Sequence, residues 1–294
     1  MNENVDYTIE NGLLVFTRDY LKRRGSCCGS GCRNCPYHAR IVSMVPSWTE
    51  TLIEAGARVV GRTRFCIHPR DKVNSIQALG GTKEWNIEEV RARSADLVLL
   101  DQEENPKTMA DESPAQTIAT HVTRIEDVAP ELRKIASGFT CADDHSVVQK
   151  LLELSERWEK ISSLPPLSRQ DELPGVLDWI QRPGQIPPRV AYFIWNKPWM
   201  TVTKETFIGS VLSKLGFDQL EPHHANEKYP AVTLDEIPPD TLLLFSSEPY
   251  PFQKKRDELQ MLRRPSAIVD GESFSWFGVR TLVFLEHALQ NQNR

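Results

Sequence analysis

Four of the six cysteines fall inside one short run, Cys27-Cys28-Gly29-Ser30-Gly31-Cys32-Arg33-Asn34-Cys35, which continues into Pro36-Tyr37-His38. Thiolates are the soft ligands of zinc and of iron–sulfur clusters, and Cys28, Cys32 and Cys35 are close enough along the chain to converge on one ion. Cys27 is the preferred fourth ligand and His38 the alternative, with Gly29 and Gly31 letting the backbone wrap between thiols. Zinc or an iron–sulfur site is therefore expected at Cys27, Cys28, Cys32 and Cys35; a set of free or redox-labile thiols is the other reading. The C-x3-C-x2-C spacing also belongs to radical-SAM enzymes, but those need a barrel after the motif and none follows. A head of fewer than 40 residues has too little core to fold unaided, so metal would supply much of its stability.

Cys66 and Cys141 stand apart from the cluster. Clustered thiols without a disulfide framework suit a reducing compartment. The first residues show no cationic start followed by an apolar stretch, so the expected location is cytoplasmic. Asp and Glu number 40 against 35 Lys and Arg, a net charge of −5. With only Arg18–Arg24 basic, nucleic-acid binding is not expected. No run of 18 apolar residues is present, so no membrane span is expected. No Ser/His/Asp set, phosphate loop or paired carboxylates stand out, and the chain is not expected to be an enzyme.

The elements that position the remaining candidates are organised about one helix over Asp143–Ser162. Val147, Leu151, Leu154, Trp158 and Ile161 recur at helical spacing, and Val148 and Leu152 widen the stripe. Glu153/Arg157 and Glu156/Lys160 are spaced as i,i+4 pairs, and Pro165-Pro166 stops the helix. On either side the chain alternates strands and helices. Strands are predicted at Ile41–Val45, Val59–Gly61, Ala95–Leu100, His121–Arg124, Arg189–Trp195, Thr241–Phe245 and Ala267–Asp270. Helices are predicted over Glu50–Ala55, capped by Ser47 or Thr49, and over Trp85–Arg93, Val128–Ser137, Glu205–Leu215, Pro251–Gln260 and Val279–Gln290. Tyr7–Phe16 is read as a hairpin or a strand around Asn11-Gly12, and Val176–Ile180 as a helical turn. The fold class is α/β, with a mainly parallel sheet in each half. The expected organisation is a cysteine-rich segment at 1–39, an α/β lobe at 40–142, a connecting helix at 143–163, a Pro-rich connection at 164–188 and a second α/β lobe at 189–294.

From Arg40 onward the chain resembles the class III, helical-backbone substrate-binding proteins, which serve importers of vitamin B12, iron-siderophores and haem. The residues that carry this are Ile41-Val42-Ser43-Met44-Val45-Pro46-Ser47-Trp48-Thr49-Glu50, Gly61–Pro69, Gly80-Gly81-Thr82 before Asn86-Ile87-Glu88, and Ala95-Asp96-Leu97-Val98-Leu99. In the second half they are Lys197-Pro198-Trp199-Met200, Lys228-Tyr229-Pro230-Ala231-Val232 and Asp270–Arg280. The vitamin B12 branch is the nearer match. Residues 7–38, with their CCGxGCxxCPY core, resemble a small cysteine-rich family, DUF5522. The first resemblance implies two α/β lobes joined by one long helix, with the ligand held without chemistry in a cleft between them.

It also implies that the loops named above face that ligand, making Pro46, Ser47, Trp48, Phe65, His68, Trp85, Trp199, Tyr229, Trp276, Phe277 and Arg280 the candidate site. Aromatic walls suit a flat ring with polar edges, so a corrinoid or another metal-ring compound is expected. His68 stands where the B12 receptors tend to place an aromatic near the upper axial face, and its imidazole can ligate cobalt or iron. Cys66 is read as an inert buried thiol and His223-His224 as a solvated pair. Arg280 is expected to meet an anionic ligand edge or Asp270. The partner expected is a small metal-containing ligand. An importer enters only through the family, since no signal or lipobox ties this chain to one, and a monomer is expected. The alternatives are an iron-siderophore or haem in the same cleft, or redox or metal handling by the cysteine head.

Overall fold

The structure is a computed structural model that describes residues 1–30, 32–168, 172–221 and 227–292. His223-His224 and Gly31 lie outside the described residues. The chain divides into two compact units. The first is Met1–His121 with Ala129–Ser155, and the second is Val122–Val128 with Glu156–Arg294.

The first unit begins with β1 (Tyr7–Glu10) and β2 (Leu13–Phe16), an antiparallel pair that turns at Asn11-Gly12 as predicted. Thr17 then caps α1 (Arg18–Arg23) by accepting the Tyr20 N–H. The main sheet is built from β3 (Arg40–Ser43), β4 (Arg58–Arg62), β5 (Leu97–Asp101) and β6 (Gln116–Thr120). The helices among them are α2 (Pro46–Ala55), α3 (Arg70–Val73), α4 (Ile87–Ala92) and α5 (Lys107–Asp111). The strand order is β4-β3-β5-β6, parallel throughout. Every residue of β3 and β5 is buried, which is why both read as continuous apolar runs rather than alternating ones.

Two local expectations for this unit are corrected. Neither Ser47 nor Thr49 caps α2; the helix starts earlier, at Pro46, whose missing N–H costs nothing at a first helical position. The Thr49 hydroxyl instead donates to the Val45 carbonyl oxygen at 2.9 Å and stands 2.9 Å from Ser43 Oγ. The last strand is Gln116–Thr120, not His121–Arg124. Gln116–Thr120 pairs residue for residue with β5, whereas Thr123 and Arg124 give their N–H groups to the Asp127 carboxylate at the start of the next helix.

That helix is α6 (Ile125–Ser137), followed by α7 (His145–Ser163); the chain passes between the two units within each. On α7, Val147, Leu151, Leu154, Trp158 and Ile161 are all buried, as their spacing predicts. Leu152 does not widen the stripe, since it is 39% exposed. The i,i+4 pairing of Arg157 also gives way. Its guanidinium instead makes a bidentate pair with Glu286 at 2.9 and 2.6 Å, since a fork-on-carboxylate contact is stronger than one ammonium-like contact along a helix.

The second unit is built from β7 (Val176–Gln181), β8 (Arg189–Trp195), β9 (Trp199–Thr201), α8 (Phe207–Lys214), β10 (Asp218–Gln219) and β11 (Ala231–Val232). It closes with β12 (Leu242–Ser246), α9 (Arg256–Gln260), β13 (Ser266–Val269), α10 (Gly271–Ser275) and α11 (Val279–Gln292). The sheet runs β11-β9-β8-β12-β13-β7, and β10 pairs with β8. The β8, β12 and β13 strands are parallel, and β12 and β13 are fully buried. Val176–Ile180 is not a helical turn: it is the body of β7, an antiparallel strand on β13. Its Val, Leu, Trp and Ile suit a pleated, half-buried edge better than a single isolated turn.

Trp158 is wholly buried, and its indole N–H donates to the Gly278 carbonyl oxygen at 2.9 Å while its ring meets Phe207 edge-on. Trp158→Ala should therefore leave both a cavity and an unpaired carbonyl. A loss of about 3–5 kcal/mol is expected, measured by denaturant unfolding with the second unit's aromatic signal; a loss under about 1 kcal/mol would contradict this packing.

Candidate functional site

In open α/β sheets ligands gather beyond the carboxyl ends of parallel strands. In the first unit the loop after β4 carries Phe65, Cys66 and His68. Phe65 is 48% exposed, with the Arg64 guanidinium 4.8 Å from its ring centroid. Arg64 is held from its other side by Glu84 at 2.6 Å. His68 is half-buried. Cys66 is buried among hydroxyls, with its Sγ 3.1 Å from both Thr49 Oγ1 and Thr63 Oγ1, and burial pushes its thiol pKa up. It is the inert thiol expected, since the thiolate is the reactive form.

The other candidates of this unit divide by burial. Pro46, Ser47 and Trp48 are all buried, and the Trp48 indole N–H donates to Thr120 Oγ1 at 2.9 Å. Trp48 is therefore a core residue of the first unit rather than a ring wall, because the first turn of α2 packs down onto β6. Trp85 is half-buried and packs beside the cluster of Val42, Met44, Leu79 and Val98.

In the second unit the candidates are spread over β9 (Trp199), the approach to β11 (Tyr229) and the segment after β13 (Trp276, Phe277 and Arg280). Trp199 lies against the core, parallel to Phe252 with centroids 6.1 Å apart and edge-on to Phe193 at 5.3 Å. Phe277 is buried edge-on against Phe207. Trp276 is also buried, and its indole N–H donates to Glu248 Oε1 at 2.9 Å. The exposed aromatics are Trp195 at 42% and Tyr229 at 40%, and Trp195 is edge-on to Tyr250. Arg280 does not pair with Asp270: its Nη1 is 3.3 Å from Glu272 Oε2, and its guanidinium lies 5.5 Å from the Trp276 ring centroid. Asp270 instead accepts from Ser273 Oγ at 2.6 Å.

Glu248 is not among the candidate residues, although its run, Glu248-Pro249-Tyr250-Pro251-Phe252, follows a strand and reads in sequence either as a cleft-rim segment or as a stiff turn. Only the fold brings it beside Trp276, Glu272 and Asp270. Gly271 makes the approach possible, since a Cβ there would stand 2.4 Å from Ser246 Oγ and 2.7 Å from Glu248 Cγ. Burial raises the Glu248 pKa, repulsion from Glu272 and Asp270 adds to this, and the Trp276 hydrogen bond only partly offsets it. The carboxyl ends of β12 and β13 thus hold three carboxylates and one guanidinium around a tryptophan.

The fold defined by these two units is that of the class III substrate-binding proteins. Solved structures make the comparison concrete. The periplasmic vitamin B12 binding protein BtuF of Vibrio cholerae has a TM-score of 0.61 at 16% identity, covering 87% of this chain and 97% of its own. The apo periplasmic haem-binding protein RhuT from Roseiflexus sp. RS-1 has a TM-score of 0.60 at 14% identity, covering 87% and 100%. A possible iron-binding periplasmic solute-binding protein from Staphylococcus epidermidis gives 0.59 at 18%, covering 87% and 99%. Residues 1–40 match a family of unknown function, DUF5522. Curated protein sequences give no match.

The expected cytoplasmic location is corrected by this comparison. BtuF and RhuT are periplasmic, which points to an extracytoplasmic location rather than a cytoplasmic one. Clustered thiols report metal or redox chemistry before they report compartment. Among the described residues no helix is long and apolar enough to cross a membrane.

The raised Glu248 pKa has a consequence for stability. The fold favours the protonated carboxyl, so the stability carried by this group is complete below the unfolded carboxylate range. It is lost as pH rises through the raised folded value. Glu248→Gln keeps an acceptor for Trp276 and removes the charge. The variant should gain in melting temperature over the parent at pH 7 and match it near pH 3; equal melting temperatures at both pH values would contradict the burial of an acid here.

Proposed function

We propose that this chain is a non-catalytic binding protein for a metal-containing ring compound, and that the compound is a corrinoid in preference to a haem or a ferric siderophore. The observation that carries the choice is the charge at the carboxyl ends of β12 and β13. Asp270 and Glu272 outnumber Arg280 even with the Glu248 carboxyl kept protonated, and Arg280 is already paired with Glu272. Haem propionates and most ferric siderophores bring negative charge, which such a surface repels. A corrinoid presents neutral amides, which can donate to carboxylates and accept from the guanidinium.

The flat face of the ring needs apolar partners that are not already spent in the core. Each unit offers such partners of its own, Phe65 in the first and Trp195 and Tyr229 in the second, each more than a third exposed. His68 shares a loop with Phe65 and offers an imidazole for an axial position on cobalt. In the second unit Trp199, Trp276 and Phe277 are taken up by core packing.

Calorimetry with cobinamide, cobalamin, haemin and ferric siderophores tests the reading. A corrinoid should bind more tightly than haemin, and Tyr229→Ala or Phe65→Ala should weaken it roughly tenfold to a hundredfold, about 1–3 kcal/mol. Tighter binding of haemin would reverse the choice of ligand. No binding of any of the four would remove the proposal.

A further inference from the structure

The cysteine head is not used by the ring-binding surface, and its thiols are not arranged as four equivalent ligands. They approach as two pairs, Cys28 with Cys32 at 3.3 Å between sulfurs and Cys27 with Cys35 at 4.0 Å. Zinc–sulfur bonds of about 2.3 Å at a tetrahedral angle set two liganding sulfurs roughly 3.8 Å apart. The second pair fits that edge; the first is too close for it. Around Cys27 a different set of donors gathers. Its Sγ, a ring nitrogen of His38 and a carboxylate oxygen of Asp143 all lie within 4.8 Å of one another; the Cys35 sulfur stands outside that group but 4.0 Å from Cys27 Sγ.

The surroundings hold these donors in place. Asp144, with a side chain only 4% exposed, stands with Oδ1 3.1 Å from His38 Nδ1, while its Oδ2 accepts the Ala39 N–H at 2.8 Å. A carboxylate that takes the Nδ1 proton fixes the tautomer and turns the Nε2 lone pair outward, which is how metal-binding imidazoles are commonly oriented. The Asp143 N–H donates to the Tyr37 carbonyl oxygen at 3.1 Å, and the Gly29 N–H points at Cys27 Sγ at 3.4 Å. Arg18 and Arg58 donate to the carbonyl oxygens of Cys35 and Cys32, and Arg18 also pairs with Asp96 at 3.0 Å.

We propose that Cys27, His38 and Asp143, joined by Cys35 once its sulfur turns in to share the ion, form a mononuclear zinc site that ties the N-terminal segment to the turn preceding α7. Two sulfurs, one imidazole and one carboxylate make a borderline-soft tetrahedral set that suits zinc; an iron–sulfur cluster needs more thiolates. The segment needs such a tie. Asp6, Leu21, Cys35 and Ala39 are the buried residues described ahead of Arg40, too few for a core of its own. The ligand set differs from the one that spacing suggests: Cys28 and Cys32 are left out, and Asp143, more than 100 residues away in the chain, is brought in.

Full-length protein reconstituted with zinc and desalted should retain about one equivalent by elemental analysis. His38→Ala and Asp143→Asn should weaken the metal roughly tenfold or more against a chromophoric chelator. Cys28→Ser combined with Cys32→Ser should leave affinity within about twofold of the parent. Cobalt in place of zinc gives a reading that needs no variant: thiolate-to-cobalt charge transfer of the intensity of two sulfurs is expected. Charge transfer of four sulfurs would overturn the site. So would loss of zinc in the Cys28/Cys32 double variant, or less than roughly a tenth of an equivalent in the reconstituted parent.

Discussion

The constraint on which most of this structure depends is the burial of one apolar stripe along α7. Val147, Leu151 and Leu154 enter the core of the first unit, and Trp158 and Ile161 enter that of the second. A stripe of this kind must be covered along its whole length, since each large side chain left in water forfeits on the order of 1.5–3 kcal/mol. Polar groups along the helix are consistent with that packing. Ser155 donates to the Ala129 carbonyl oxygen and accepts from Arg133, while the Trp158 indole is satisfied by Gly278. One helix thus supplies core to two separate sheets.

Parallel strands buried on both faces place the loops at their carboxyl ends, where backbone groups are free of the sheet and side chains can be chosen for a ligand. In both units those loops mix exposed rings with titratable groups, but the balance differs. The first unit offers Phe65 and His68 above a closed layer of hydroxyls around Cys66. The second offers the exposed rings of Trp195 and Tyr229 and, separately, a carboxylate-rich corner after β12 and β13. Keeping Glu248 partly buried next to Glu272 works against stability at neutral pH, and such strain is characteristic of sites shaped for something other than folding.

The N-terminal segment follows another logic. It has a hairpin and one short helix but almost no interior, and its contacts with the rest of the first unit include polar ones: Arg18 to Asp96, Arg58 to the Cys32 carbonyl, and Ala39 and His38 to Asp144. Hydrogen bonds of this kind fix orientation well and contribute modestly to net stability. That is the setting in which a metal ion, binding only the folded arrangement, has the most to add.

The sequence by itself determined what depends on local pattern. The spacing of Val147, Leu151, Leu154, Trp158 and Ile161 fixed the long helix. The apolar runs at Ile41 and Leu97 fixed buried parallel strands, and the order of loop motifs pointed to the family fold. Tertiary structure decided what depends on partners distant in the chain. Val176–Gln181 became a strand because β13 offers it an edge, and Arg157 left its helical neighbour for Glu286. Trp48 became core because Thr120 takes its N–H, and Glu248 met Trp276 only when β12 and β13 lay side by side. The cysteines show the division most sharply. Spacing marked them as metal ligands, yet sulfur-to-sulfur distances and the approach of Asp143 decide which of them can share an ion, because coordination is a matter of angstroms in space and not of positions along the chain.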